Sequence, residues 1–122
     1  MSTVLVIERD PATASIMQEL LEDEGHTVMV CQEAALGFDA VHRGGIDLVV
    51  LELWTPTPSF ARQCICRMRG DQRTATIPIL VCTVDERQLR QWADWLDHRR
   101  VHMLVKPFDI DAFVHAVNSA LR

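Results

Sequence analysis

The chain has 122 residues, the size of one ordinary domain, and a single domain over residues 1–122 is expected. Hydrophobic residues make up 48% and charged residues 24%, with five Gly and five Pro, which excludes a disordered tail, a collagen-like repeat or a disulfide-dense mini-protein. Twelve Lys and Arg against seventeen Asp and Glu give a net charge of −5, so we do not expect this chain alone to bind nucleic acid.

The N-terminus and the hydrophobic runs indicate the compartment. The chain goes from Met1 to Thr3 directly into an apolar run, without the basic flank or the cleavage site of an export signal. Every apolar run ends within about seven residues, far short of the ~20 needed to cross a bilayer. We therefore expect a cytoplasmic protein with no membrane partner and with four unpaired cysteines, namely Cys31, Cys64, Cys66 and Cys82.

Short apolar runs alternate with segments of helical spacing along the whole chain. The runs are rich in Val, Ile and Leu and predict five parallel strands buried on both faces. In chain order they are Thr3–Ile7, Thr27–Cys31, Asp47–Leu53, Ile77–Cys82 and Val101–Val105. The apolar residues that recur every three or four positions after each run predict five amphipathic helices. This alternation predicts an α/β fold with a doubly wound parallel sheet.

Turn and capping residues support these boundaries. Asp10-Pro11 is typical of a helix N-cap followed by proline in the first turn, and Asp85 followed by Gln88 resembles a capping box. Gly25, Gly44-Gly45 and Gly70 follow three of the helical segments, where a left-handed residue closes a helix.

Polar residues stand where four of the strands end. In a doubly wound sheet these ends meet at one edge, which is where ligands bind. The residues are Glu8-Arg9-Asp10, Glu52, Thr83 and Lys106. One polar strand end would mean little, but four together indicate a functional site.

The same segments make the sequence resemble a response-regulator receiver domain over nearly its whole length. The resemblance is carried by residues 4–11, the Asp47–Pro56 segment, Ile77–Thr83 and Val105-Lys106-Pro107-Phe108. It implies a flavodoxin-like (βα)5 fold with strand order 2-1-3-4-5. It also implies an acceptor aspartate for phosphoryl transfer from a histidine kinase, two acids that bind Mg²⁺, a Thr or Ser, and a Lys. These positions correspond to Glu52, to Glu8 and Arg9, to Thr83 and to Lys106.

Two of these positions depart from the family pattern. The acceptor position holds Glu52 instead of Asp, and the principal metal-ligand position holds Arg9 instead of an acid. Arg9 removes an oxygen ligand and adds a positive charge where Mg²⁺ would sit, so we expect weak or absent Mg²⁺ binding and no cofactor. We predict a permanent ionic cluster of Arg9, Glu52 and Lys106, with Glu8, Asp10 and Thr83 completing a remnant of the switch.

Surface residues indicate a contact role. The aromatic switch position of the family is Met103 here, so the usual Thr-aromatic signal route is altered. We place Trp92 in the core and take Trp95 as the best candidate for an interface, with a tryptophan folded over its own helix as the alternative. The resemblance implies a protein partner or a homodimer through the face of the fourth helix, fifth strand and fifth helix.

These observations predict an atypical receiver domain that takes part in two-component signalling by contact and not as an enzyme. Two alternatives stay open. One is a working phosphoacceptor that uses Asp10, Glu8 or Glu52 unconventionally. The other is a small-ligand or redox-responsive binding module that uses the rim of the site, the proline-containing loop after the third strand and Cys82. Cys64-x-Cys66 and His98-x₃-His102 contain zinc-binding residue types, but residues two apart on a helix diverge, so no metal site is expected there.

Overall fold

The computed structural model describes residues 2–53, 59–106 and 109–122 of the chain. Within these residues five strands alternate with five helices, as predicted. They are β1 (Thr3–Ile7), α1 (Pro11–Asp23), β2 (Thr27–Cys31), α2 (Ala34–His42), β3 (Leu48–Glu52), α3 (Ser59–Gly70), β4 (Ile79–Thr83), α4 (Glu86–His98), β5 (Val101–Val105) and α5 (Ile110–Leu121).

The strands form one parallel sheet in the order β2-β1-β3-β4-β5, which confirms the predicted doubly wound topology. The predicted bounds of β1, β2 and β5 are correct, whereas β3 and β4 begin and end elsewhere. Asp47 uses its side chain to accept a hydrogen bond from the Thr3 N–H at 2.8 Å, and Pro78 has no N–H to donate. These two residues immediately precede β3 and β4.

Two apolar layers cover the sheet. The helices α2, α3 and α4 pack on one face, against alternate strand residues such as Leu5, Val49 and Val81. The helices α1 and α5 pack on the other face, against residues such as Val6, Val50 and Leu80. This arrangement leaves the carboxyl ends of the strands at one edge of the sheet.

The expectation that all five strands are buried on both faces is wrong for the two outer ones. The central strands are buried almost throughout, but Met29 and Val30 of β2 are 43% and 38% exposed, and Met103 of β5 is 39% exposed. An edge strand has one neighbour and incomplete helical cover, and apolar composition does not distinguish it from a central strand.

The capping residues are placed largely as predicted. The Asp10 side chain accepts from the Thr13 N–H and Asp85 from the Gln88 N–H, at 3.1 and 3.0 Å. Gly25, Gly44 and Gly45 have positive φ angles, but Gly70 is the last residue of α3 and does not. The left-handed residue near this end of the sheet is instead Arg100, with φ 58°.

An arginine absent from the sequence predictions holds two loops at the amino end of the sheet. Arg69 of α3 donates to the carbonyls of Ala75, Ile77 and Arg99 at 3.1, 2.7 and 2.8 Å. Burial lowers the pKa of Arg69, which indicates a partly desolvated guanidinium. The loops before β4 and β5 are thereby tied to the end of one helix.

Candidate functional site

Strand register brings the polar residues at the carboxyl edge together. Ile7 of β1 pairs with Leu51 of β3, and Glu52 pairs with Cys82 of β4. Thr83, the last residue of β4, pairs with Val105 of β5. The residues that follow or end these strands, Glu8, Glu52, Thr83 and Lys106, therefore lie side by side.

Lys106 is the centre of this group. Its Nζ lies 2.6 Å from Oε1 of Glu8 and 3.2 Å from Oε1 of Glu52. The side chains are 11%, 1% and 15% exposed for Lys106, Glu8 and Glu52. Charge-assisted bonds with so little exposure are stronger than surface ion pairs. One ammonium group thus bridges two carboxylates, and we call these three residues the lysine bridge.

Glu8 is fixed at both its backbone and its side chain. Its N–H donates to the carbonyl of Cys31 at 3.0 Å, and its Oε2 accepts from the Asp10 N–H at 3.2 Å. Both carboxylate oxygens therefore have partners, one in the backbone and one in Lys106. The bond from Asp10 N–H also links the lysine bridge to the start of α1.

Thr83 has its hydroxyl committed to the surrounding backbone. Its Oγ1 donates to the carbonyl of Leu53 at 3.2 Å and accepts from the Asp85 N–H at 3.1 Å. Its own carbonyl accepts from the Lys106 N–H at 2.6 Å. A buried hydroxyl has one proton to donate, and here that proton holds β4 to the end of β3.

Arg9 and Asp10 are exposed at the rim of the site. The Asp10 carboxylate caps the N-terminus of α1, because its Oδ2 accepts hydrogen bonds from both the N–H and the hydroxyl of Thr13. These hydrogen bonds hold the pKa of Asp10 below its ordinary value. The pairing of Arg9 with Glu52 stays a prediction. Trp54 and Pro107, also quoted for the resemblance, lie outside the described residues.

Cys82 lies behind the lysine bridge and is fully buried. Burial raises the pKa of its thiol to about 12, with a smaller effect of Lys106 in the opposite direction. The reactive form of cysteine is the thiolate, which is scarce at neutral pH for such a group. The environment of Cys82 is therefore unfavourable for redox chemistry.

The predicted core residue Trp92 and interface residue Trp95 are both half-buried and pack against the core. Their rings meet edge to face with centroids 6.0 Å apart. The Arg99 guanidinium lies 3.9 Å from the centroid of Trp95, and Arg62 of α3 lies 4.9 Å from both centroids. Trp95 is thus covered partly by its own helix, as the alternative interpretation expected, and partly by α3.

The described residues contain neither a metal-ligand group nor a membrane-spanning helix. Across residues 2–53, 59–106 and 109–122, no three His, Cys, Asp or Glu side chains are grouped as metal ligands. None of the helices in the same ranges has the length and apolar character that a membrane span requires.

Comparison with known proteins shows the relationships of the chain. Among curated proteins it is 30% identical over 122 residues to a DNA-binding dual master transcriptional regulator, RpaA, of Synechocystis sp., of which it covers 50%. It is 21% identical to protein PilH of Pseudomonas aeruginosa and covers 98% of that protein. The chain spans about half the length of most of the curated relatives it matches.

Solved structures share the fold. The chemotaxis response regulator CheY4 of Vibrio cholerae superposes with a TM-score of 0.87 at 16% identity, over 99% of both chains. A response regulator from Chloroflexus aurantiacus gives 0.85 at 21% identity, over 98% of this chain and 97% of that one. The family model of the response regulator receiver domain matches residues 4–118, and the chain therefore belongs to the receiver domains of two-component response regulators.

Proposed function

We propose that this receiver domain does not undergo Mg²⁺-dependent phosphorylation and that it signals by contact with a protein partner. The observation that carries the proposal is the pair of departures from the family pattern: Arg9 follows Glu8 where a metal-binding acid is expected, and Glu52 stands at the acceptor position, where Lys106 holds it at 3.2 Å. Receiver domains are in general non-enzymatic signalling modules that interact with other proteins. In this domain the signal is transmitted through contact with a partner protein and without phosphorylation.

The residues at the strand ends fit Mg²⁺ poorly. Mg²⁺ requires nearly octahedral oxygen ligands, usually including one or two carboxylates. Glu8 is 1% exposed and has both oxygens hydrogen-bonded, so binding a metal would require breaking its bonds to Lys106 and Asp10. The next position is Arg9, a cation. Glu8, Arg9, Glu52 and Lys106 together sum to zero charge, which gives a divalent cation little electrostatic attraction.

The acceptor and its helper residue are also unfavourable for transfer. The carboxylate of Glu52 stands one methylene farther from the backbone than an Asp carboxylate, and a displacement of about 1 Å can reduce a rate by about 10²-fold. The Thr83 hydroxyl donates to Leu53, so contact with a phosphoryl oxygen would cost that hydrogen bond. Both features act against the same reaction.

Contact through the face of α4, β5 and α5 is the output we propose. Met103 of β5 and Ile110 of α5 are 39% and 59% exposed, and large apolar side chains exposed together are typical of binding surfaces. Trp95 of α4 is half-buried, and its ring is covered in part by Arg62 of α3. A partner or a second copy would cover these residues whether or not the chain is phosphorylated.

The test compares the natural chain with an Arg9→Asp/Glu52→Asp variant, which restores both acids. Each protein is incubated with Mg²⁺ and acetyl phosphate, and intact mass spectrometry measures the addition of a phosphoryl group. We expect no addition to the natural chain and partial addition to the variant. A phosphorylated natural chain would contradict the proposal. An unmodified variant would show that more than these two positions was lost.

A further inference from the structure

The charged residues of α1 are all acidic, and those of α3 are all basic. The only charged residues in α3 are Arg62, Arg67 and Arg69. Those in α1 are Glu19, Glu22 and Asp23, and Glu24 caps the helix. In a chain of net charge −5, α3 therefore contributes a local positive surface.

Two of the α3 arginines stack on aromatic rings, and neither is paired with an acidic side chain in the described part of the chain. Arg62 lies against Trp92 and Trp95, and Arg67 lies 4.0 Å over the ring of Phe38. Within residues 2–53, 59–106 and 109–122, no carboxylate oxygen lies within 4.0 Å of either guanidinium. Stacking fixes the plane of a guanidinium and leaves its edge N–H groups able to bind a carboxylate.

The acidic end of α1 is electrostatically unfavourable on its own. Glu22 and Asp23 lie in the last turn and Glu24 at the C-cap, with no basic residue there. Carboxylates beside a helix C-terminus oppose its dipole, and the like charges of Glu19 and Asp23 are four residues apart. A cationic surface placed against this end would remove both effects.

The two surfaces cannot meet within one molecule. The helix α1 packs on one face of the sheet with α5, and α3 packs on the opposite face with α2 and α4. Two copies of the chain can bring them together. Because α1 and α3 lie on opposite faces of the sheet, the acidic surface of one copy can approach the arginine surface of the other. Such a contact uses different patches on the two molecules and is head to tail.

We infer that the arginine surface of α3, formed by Arg62 and Arg67, binds the acidic end of α1 of a second copy, formed by Glu19, Glu22 and Asp23. The occupant is a second copy because the chain itself supplies the complementary charge. Tryptophan and arginine are also the residue types that dominate interface energetics. The inference goes beyond the proposed function, since it does not depend on the chemistry of the lysine bridge.

Sedimentation velocity of the full chain at two salt concentrations is the first test. The Debye length falls from ~30 Å at ~0.01 M salt to ~8 Å at ~0.15 M, so association should weaken about tenfold or more over this range. A natural chain that stays monomeric at low salt and high protein concentration would overturn the inference. Association that does not respond to salt would overturn it as well.

Charge exchange gives the second test. An Arg62→Glu/Arg67→Glu variant and a Glu19→Lys/Glu22→Lys/Asp23→Lys variant should each be monomeric, because each carries one sign on both surfaces. Mixed in equal amounts, the two variants should associate with each other, because each surface of one variant is then opposite in charge to the surface it meets on the other. The control Arg43→Glu/Arg122→Glu makes the same charge change as the first variant elsewhere and should associate like the natural chain.

Circular dichroism verifies that each variant is folded, and all five α1 and α3 substitutions are at exposed positions. Should the arginine variant not fold, the α1 variant decides alone, since loss of its self-association supports the inference and retention overturns it. Association of either folded variant by itself, or failure of the folded pair to associate, would likewise overturn it.

Discussion

Replacing Lys106 by Met should destabilise the domain strongly, because it removes the ammonium group of the lysine bridge and keeps an apolar stem of similar length. Glu8, 1% exposed, would be left with the Asp10 N–H at 3.2 Å as its hydrogen-bond donor. Breaking a buried ion pair from one side typically costs about 3–5 kcal/mol. This is a large part of the ~5–15 kcal/mol by which a domain of this size is stable.

Urea denaturation followed by circular dichroism at pH 7 measures the loss. Adding Glu8→Gln to the Lys106→Met variant should recover much of the stability at pH 7, since the more deeply buried of the two carboxylates is then uncharged and Glu52, which keeps its charge, is 15% exposed. Arg90→Met is the matched control: its partner Glu86 is 66% exposed, and the loss should be below about 1 kcal/mol.

A Lys106→Met loss no larger than that of Arg90→Met would refute this reasoning. It would mean that the carboxylates of Glu8 and Glu52 are adequately solvated without Lys106. A Lys106→Met/Glu8→Gln variant that recovers none of the lost stability would also contradict the electrostatic origin of the effect.

Three further substitutions test other parts of the structure. Gly37→Ala should lower the free energy of unfolding by about 1–3 kcal/mol, because an added Cβ would overlap the buried side chain of Ile7. Arg100→Gly should raise the melting temperature, since a left-handed residue other than glycine costs about 1–2 kcal/mol and its φ is 58°. Asp10→Asn should flatten the stability profile at acidic pH: the folded Asp10 has a lowered pKa through Thr13, so its contribution is present above the ordinary pKa of 3.8 and is lost as the pH falls below it.

Each of these has a control in the chain. Gly70→Ala should cost little, as an added Cβ meets nothing within 4 Å there, and a loss equal to that of Gly37→Ala would contradict the steric explanation. Arg43→Gly, at an α2 C-cap with φ −69°, should not stabilise as Arg100→Gly does. An Asp10→Asn profile that still falls as steeply with acid as that of the natural chain would show that other carboxylates dominate.

The sequence predicts the sheet well because its signals are local. Runs of Val, Ile and Leu identify the strands, and Asp10-Pro11 identifies the start of α1. The exposure of Met29 and Val30 could not be predicted, since a run of apolar residues does not say which strand lies at the edge. The left-handed conformation of Arg100 could not be predicted either, because arginine rarely adopts positive φ angles.

For the candidate site, the sequence predicts which residues come together but not which contacts they make. Strand ends and the family resemblance select Glu8, Glu52, Thr83 and Lys106, and the structure brings these four together. The sequence does not indicate which carboxylates Lys106 contacts, because that depends on side-chain rotamers and on a difference of about one methylene in reach. It also does not indicate that the Thr83 hydroxyl donates to the Leu53 carbonyl, since a backbone acceptor has no signature in residue type.

Calorimetric titration of Mg²⁺ into the natural chain and into the Arg9→Asp/Glu52→Asp variant tests the central claim most directly. The claim is that Lys106 and Arg9 supply the positive charge that a metal ion would otherwise bring to Glu8 and Glu52. We predict no binding heat for the natural chain at millimolar Mg²⁺ and a measurable one-site isotherm for the variant. A natural chain that binds Mg²⁺ with one-to-one stoichiometry, and loses that binding on Glu8→Gln substitution, would contradict the account.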